Sequence, residues 1–169
     1  MALAGINSIL ITSPITTNLK AQVLNHVASY ESEVLIVLDS EMGLSVLKRE
    51  IDSDRALGVV VDVDIEMGRT GTRELETILR IIEGIESDDR FIFRGVQHYS
   101  GHLMHIASYA ERREKSLLMW DKVSAMLHSL DSRNIDCEIV TGGGTGTYDI
   151  DVEVERLTDL QVGSYAFMD

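Results

Sequence analysis

The sequence predicts an α/β fold, an incomplete (β/α) barrel of the TIM type with about six of the eight βα units and parallel strands. Short apolar, β-branched runs recur along the chain, segments with helical spacing separate them, and polar residues stand directly behind each run. Alternating strands and helices leave either an open doubly wound sheet or a barrel. An open sheet forms its ligand crevice chiefly at one switch point, whereas a barrel turns every strand's C-terminal end toward one common site. A polar strand end behind every run favours the barrel.

The runs are Ser8 to Thr12, Val34 to Leu38, Gly58 to Ile65, Phe91 to His98, Cys137 to Thr141 and Gln161 to Phe167. Most are too continuous for strands with one wet face, so they read as buried parallel strands. Ahead of them, Met1 to Gly5 reads as a last helical turn with Gly5 as its C-terminal cap. Ser13 and the single proline, Pro14, follow the first strand, and Asn18 is expected to cap the first helix. Asp39 and Ser40 follow the second strand. The third leads into DIEMGRTG, ending at Gly71. Thr72 with Glu74 and Glu76 then suits the start of a helix striped by Leu75, Ile78, Leu79, Ile82 and Ile85. HYSGHLMH stands behind the fourth strand. ERREK, Glu111 to Lys115, reads as the solvated start of a long helix striped by Leu117, Leu118, Val123, Met126, Leu127 and Leu130. Cys137 reads as a small apolar filler entering the fifth strand. TGGGTGT follows that strand, and Asp169 follows the last.

With 169 residues and 44% hydrophobic content, the chain can bury one core, and no linker or low-complexity tract divides it. We expect one domain, residues 1–169. No run of about 18 apolar residues occurs, so no membrane span is expected. MALAGINSILITSP lacks the basic start of a secretory signal, and one cysteine cannot form an intrachain disulfide. Together these point to the cytoplasm. The formal charge of -13, from 28 acidic and 15 basic residues, argues against nucleic acid or an anionic membrane surface as a partner.

IVTGGGTGTYDID, Ile139 to Asp151, carries the sharpest chemical signal. Its glycines let the backbone come close to a ligand and aim N–H groups at an anion, so a phosphate cradle is expected; the plainer reading is a tight strand-to-helix turn. A dinucleotide fingerprint fits poorly, because Thr147 fills the third glycine place. His98, His102 and His105 have spacings that suggest a metal cluster. His98 still belongs to a strand and Gly101 interrupts the turn, so no metal site is assigned.

DVDIEMGRTG, GVQHYSGHLMH, EIVTGGGTGTYD and QVGSYAFMD occur in that order. On these four motifs the chain resembles the PLP-dependent enzymes of the alanine racemase N-terminal (fold type III) barrel family, and most of all their D-threonine aldolase and D-serine dehydratase branch. The resemblance implies pyridoxal 5'-phosphate as cofactor, with Gly142, Gly143, Gly144 and Thr145 around its phosphate. Arg69 would stand beside the phenolic oxygen and Tyr99 near the pyridine nitrogen. His102 or His105 would be the base that takes the substrate's β-hydroxyl proton. It further implies a small D-β-hydroxy amino acid as substrate and a homodimeric assembly.

The family attaches its cofactor to a lysine on the first barrel strand, whereas Lys20, Lys48, Lys115 and Lys122 all fall in stretches read as helix. The chain therefore reads as a fragment lacking the first two barrel strands and the family's C-terminal β domain, with the divalent metal expected only in the complete protein. PLP would bind non-covalently at most, and the chain alone is expected to be inactive. The alternatives are a non-catalytic PLP-binding carrier on the same barrel or an amino-acid racemase.

Overall fold

The computed structural model describes residues 1–30 and 32–167. Six strands follow one another in sequence order, β1 (Ser8–Ile11), β2 (Glu33–Leu38), β3 (Leu57–Asp62), β4 (Phe91–His98), β5 (Ile139–Gly142) and β6 (Asp159–Leu160). A doubly wound sheet reverses its strand order at the switch point; this order never reverses, which is the succession of a (β/α) barrel. The chain divides into two compact units, one of Met1–Asp62 with Gly71–Arg94 and one of Val63–Thr70 with Gly95–Asp169.

In the first unit β1 pairs parallel with β2, Ile9 opposite Val34, and β2 with β3, Leu35 opposite Gly58. Val34 to Leu38 and Val59 to Val61 are all buried, as continuous apolar strands covered on both faces must be. Three helices cover them: α1 (Asn18–Ala28), α2 (Glu41–Glu50) and α3 (Leu75–Glu86). Thr17, not Asn18, caps α1, accepting the N–H of Lys20. Asn18 is already the first helical residue, and its side chain accepts from Arg49 instead. Ser40 caps α2 through Gly43 N–H. Glu74 holds the cap position of α3 without a side-chain bond, while Thr72 N–H returns to the carbonyl of Asp62. The stripe of α3 is Ile78, Ile81, Ile82 and Ile85; Ile81 takes the buried place expected of Leu79. Ahead of β1, Ala2–Ala4 forms a single 3-10 turn closed by Gly5 in the left-handed region, as the sequence suggested.

In the second unit β4 pairs parallel with β5, His98 opposite Gly142, and β5 with β6, Gly142 opposite Leu160. A 3-10 helix, Gly101–His105, follows β4 and leads to the long α4 (Tyr109–Asp131), which Ser108 caps. The buried face of α4 is Ser116, Met119, Trp120, Val123, Leu127 and Leu130, whereas Leu118 faces solvent. Two short helices, α5 (Tyr148–Asp151) and α6 (Ser164–Phe167), complete the unit.

The sixth strand departs from expectation. It is Asp159–Leu160, just ahead of the expected run Gln161 to Phe167, and within that run Ser164–Phe167 is helical. Its partner explains this: β5 ends at Gly142, where the glycine loop turns away, so the last ladder bond runs from Gln161 N–H to Gly142 O. Beyond Gln161 no ladder continues among the described residues, and Ala166 N–H closes a local turn on Gly163 O. Asp169, expected behind that strand, lies outside the described residues. Among the described residues no helix is long and apolar enough to cross a membrane.

Candidate functional site

Every residue that the sequence singled out for the site falls in the second unit. The loop behind β3 is shaped by Asp64, a buried residue whose carboxylate accepts the N–H of Gly68 at 3.0 and 3.2 Å. This closes the DIEMG turn and leaves Arg69 exposed at its tip, with the guanidinium 4.8 Å from the centroid of the Tyr99 ring. Glu66 of the same loop is ion-paired with Lys122 of α4.

Tyr99 directly follows β4 and is half-buried. Its ring runs beside the glycine loop: a Cβ built on Gly144 would stand 3.7 Å from its Cε2, and one on Gly101 only 2.5 Å from its Cε1. Arg69, Tyr99 and Gly144 therefore form one contiguous group. His102 and His105 are exposed on the 3-10 helix, and His102 Nδ1 lies 3.2 Å from the Met67 sulfur. Between them Met104 reaches back over the loop, its thioether lying where a side chain on Gly144 would go and its Cβ lying against Gly146.

The glycine loop leaves the sheet at Gly142. A Cβ on Gly142 would drive into the carbonyl oxygen of His98, and one on Gly143, whose φ is 65°, into the carboxylate of Asp151. A side chain at Gly142 would have to move the His98 backbone, and one at Gly143, in a backbone conformation that side chains rarely adopt, would displace the Asp151 carboxylate. Thr147 N–H turns back to Gly144 O, and Tyr165 N–H donates to Thr145 Oγ1 at 3.3 Å. The N–H groups of Gly144, Thr145 and Gly146 donate to no acceptor among the described residues. A run of such amides is what a phosphate monoester requires.

Three residues are buried around this loop: His98, which the sequence weighed only as a metal ligand, and Trp120 and Asp151, which sequence reasoning passed over. His98 is only 2% exposed. A carbonyl can only accept, so the 3.3 Å contact with Val63 O places the proton on Nδ1, and Nε2 then accepts from Ser100 Oγ at 2.7 Å. Burial pushes the pKa of this imidazole below its ordinary value, so it is held neutral in that tautomer. Trp120 meets it edge-on, with centroids 5.4 Å apart and planes at 88°. Asp151, fully buried, accepts from Trp120 Nε1 at 2.9 Å, Ser116 Oγ at 2.6 Å and Thr147 Oγ1 at 2.5 Å. For Trp120 and Asp151 the sequence signal was a single tryptophan on the long helix and a Thr-x-x-x-Asp spacing directly behind the glycines.

Cys137 is buried and its thiol is pushed up to about 12 by desolvation, which suits the filler role expected of it. The three histidines do not share a helix, and no group of three or more His, Cys, Asp or Glu among the described residues could hold a metal ion. All four lysines lie on helices: Lys20 on α1, Lys48 on α2, Lys115 and Lys122 on α4. A phosphate-bearing cofactor thus fits the loop at its phosphate end, while no strand-end amine is present among the described residues for its other end.

The family profile described as "Alanine racemase, N-terminal domain" matches residues 4–169. The chain is 28% identical to a 3-hydroxy-D-aspartate aldolase of Paracoccus denitrificans (strain Pd 1222) over 169 residues, 99% of this chain and 44% of that protein. It is 29% identical to a D-threonine aldolase of Arthrobacter sp. over 167 residues, 98% of this chain and again 44% of the relative. The chain therefore spans less than half the length of the curated relatives it matches. Among solved structures, D-threonine aldolase from Filomicrobium marinum superposes with a TM-score of 0.92 and 26% identity, covering 100% of this chain and 46% of that one. An alanine racemase from Bacillus anthracis shares the fold, with a TM-score of 0.72 at 16% identity, covering 95% of this chain and 39% of that one.

Proposed function

The chain belongs to the alanine racemase N-terminal domain family, and on that premise we propose that it carries the cofactor barrel of a PLP-dependent lyase acting on D-β-hydroxy amino acids. The observation that carries the proposal is the grouping of Arg69 over Tyr99 beside Gly144, at the mouth of a loop in which the N–H groups of Gly144, Thr145 and Gly146 donate to no acceptor among the described residues. The names of the relatives, aldolases of D-threonine and 3-hydroxy-D-aspartate, support this substrate class over that of a racemase.

In this reading Gly142, Gly143, Gly144 and Thr145 hold the phosphate, and Arg69 stands beside the phenolic oxygen with Tyr99 near the pyridine nitrogen. PLP, when bound, supplies an electron sink next to the amino acid's α-carbon. His102 or His105 takes the β-hydroxyl proton; both stand exposed on the 3-10 helix behind β4, where an incoming substrate can reach them. The helical placement of all four lysines favours non-covalent binding in a chain of these 169 residues, and this also keeps a PLP-binding carrier as the second reading.

Titration of the purified chain with PLP, followed by absorbance, borohydride reduction and intact mass, tests the reading. Saturable binding without a reduced adduct, and no turnover of D-threonine or D-serine, are expected. Absence of saturable binding would refute cofactor binding, and an adduct on one lysine would refute the non-covalent mode.

A further inference from the structure

We propose that Asp151 is a positioning residue that fixes the glycine loop in its anion-receiving shape from behind, acting through Thr147. The inference rests on the reading of this loop as a phosphate site and adds the device that preorganises it.

Thr147 stands at the cap position of α5, where a threonine hydroxyl ordinarily accepts an N–H of the first turn. It makes no such bond. Its hydroxyl donates instead to Asp151 Oδ2 at 2.5 Å, while Asp151 N–H donates to Thr147 O at 2.8 Å, so the last residue of the loop is tied to Asp151 twice. The same carboxylate oxygen stands where a side chain on Gly143 would project, which fixes the first bend of the loop as well as its last residue.

Asp151 is itself held from the opposite side. Ser116 and Trp120, one turn apart on α4, both donate to Oδ1, and the Trp120 ring packs against Gly142. A fully buried Asp side chain that takes three neutral donors, with no ion pair among the described residues, is a costly thing to keep as mere packing, because apolar residues fill such space without desolvating polar atoms. Its three bonds do one thing in common: they join a long helix to both ends of the loop. A loop so held loses less freedom when an anion binds, which is the general basis of preorganised affinity.

The test measures the affinity of pyridoxine 5'-phosphate, which carries the phosphate but no aldehyde, by equilibrium dialysis on the whole chain and on three variants. The thermal midpoint and the emission of Trp120, the single tryptophan, are recorded beside each affinity. Thr147→Val keeps the shape but removes the donor; it is expected to weaken binding about tenfold, with Trp120 emission unchanged because the Trp120 to Asp151 bond remains. Thr147→Ser is expected to restore binding. Asp151→Asn still accepts from Ser116 and Trp120 and offers its amide to the Thr147 hydroxyl, so binding within about twofold of the parent is expected. Parent-like affinity in Thr147→Val would overturn the proposal, as would affinity and midpoint falling together with no rescue by Thr147→Ser. A parent chain that itself fails to bind would instead remove the phosphate reading, and the positioning role with it.

Discussion

The two units of the chain use their strand ends differently. In the first, polar groups behind the strands are consumed by local structure: Ser40 caps α2, and Asp39 accepts the N–H of Gly71 at 3.4 Å; ahead of β4, Arg90 clamps Asp88 together with the carbonyls of Ile51 and Lys48. Its buried strand residues are Val, Ile and Leu in β2 and in most of β3, where Gly58 and the terminal Asp62 are the exceptions. In the second, polar residues share the interior with the apolar ones. Gln97, His98, Thr141, Thr147 and Asp151 are buried there, and Gln161 donates to Gln97 at 2.8 Å. Buried polar groups must be paired to be tolerated, so each one fixes the direction of its neighbours. An apolar interior holds strands in place; a polar one also aims them. The unit that holds the candidate site is the one built the second way.

Changing the glycine at which strand becomes loop should have the largest effect. Gly142→Ala must push His98 O or the Trp120 ring aside, with an expected cost of about 4 kcal/mol in urea unfolding and loss of phosphate-ester binding. Ile36→Ala, in the apolar unit, is expected to cost about 3 kcal/mol through the cavity it leaves, yet the folded fraction should bind pyridoxine 5'-phosphate as the parent does. Equal loss of affinity in both variants would erase the distinction between the units.

Acid should separate them next. Asp88 is held at about 2, against an ordinary 3.8, mainly by its hydrogen bonds from Arg90. Its stabilisation is present above its unfolded value and is lost as pH falls from about 4 toward 2. His98 is also depressed, by burial, below its ordinary 6.5. Between its two values the unfolded chain binds a proton that the native one does not, so stability begins to fall once pH drops through about 6.5. Asp88→Asn should remove the lower limb and His98→Gln the upper one, read from urea midpoints across pH. The smallest effect is expected at the surface: Arg113→Ala breaks an ion pair with Glu153 whose side chains are both 43% exposed, and should leave the urea midpoint where it is in the parent.

Much of this organisation was legible in the sequence, and the boundary of legibility is physical. Phe91 to His98 was read to the residue, and β2 to within one, because a continuous apolar run with turn residues at its ends leaves little choice. The sixth strand was misplaced because SYAF carries β-favouring residues, while the ladder that decides its fate ends at Gly142, about twenty residues earlier in the chain. The site's glycine loop, Arg69 and Tyr99 stood out as local motifs. Asp151 did not: its partners lie 4, 31 and 35 residues away, and in the string YDID it looks like one more solvated acid. Leu118 shows the converse, an apolar residue whose helical phase puts it in solvent while Ser116 goes inside.

The most direct test of the central claim is a titration of the isotope-labelled chain with pyridoxine 5'-phosphate, followed by amide nuclear magnetic resonance. The account predicts saturable shifts concentrated at the amides of Gly143, Gly144, Thr145 and Gly146, with those of Val34 to Leu38 unmoved. Saturable shifts centred elsewhere, or none in the glycine loop, would contradict it.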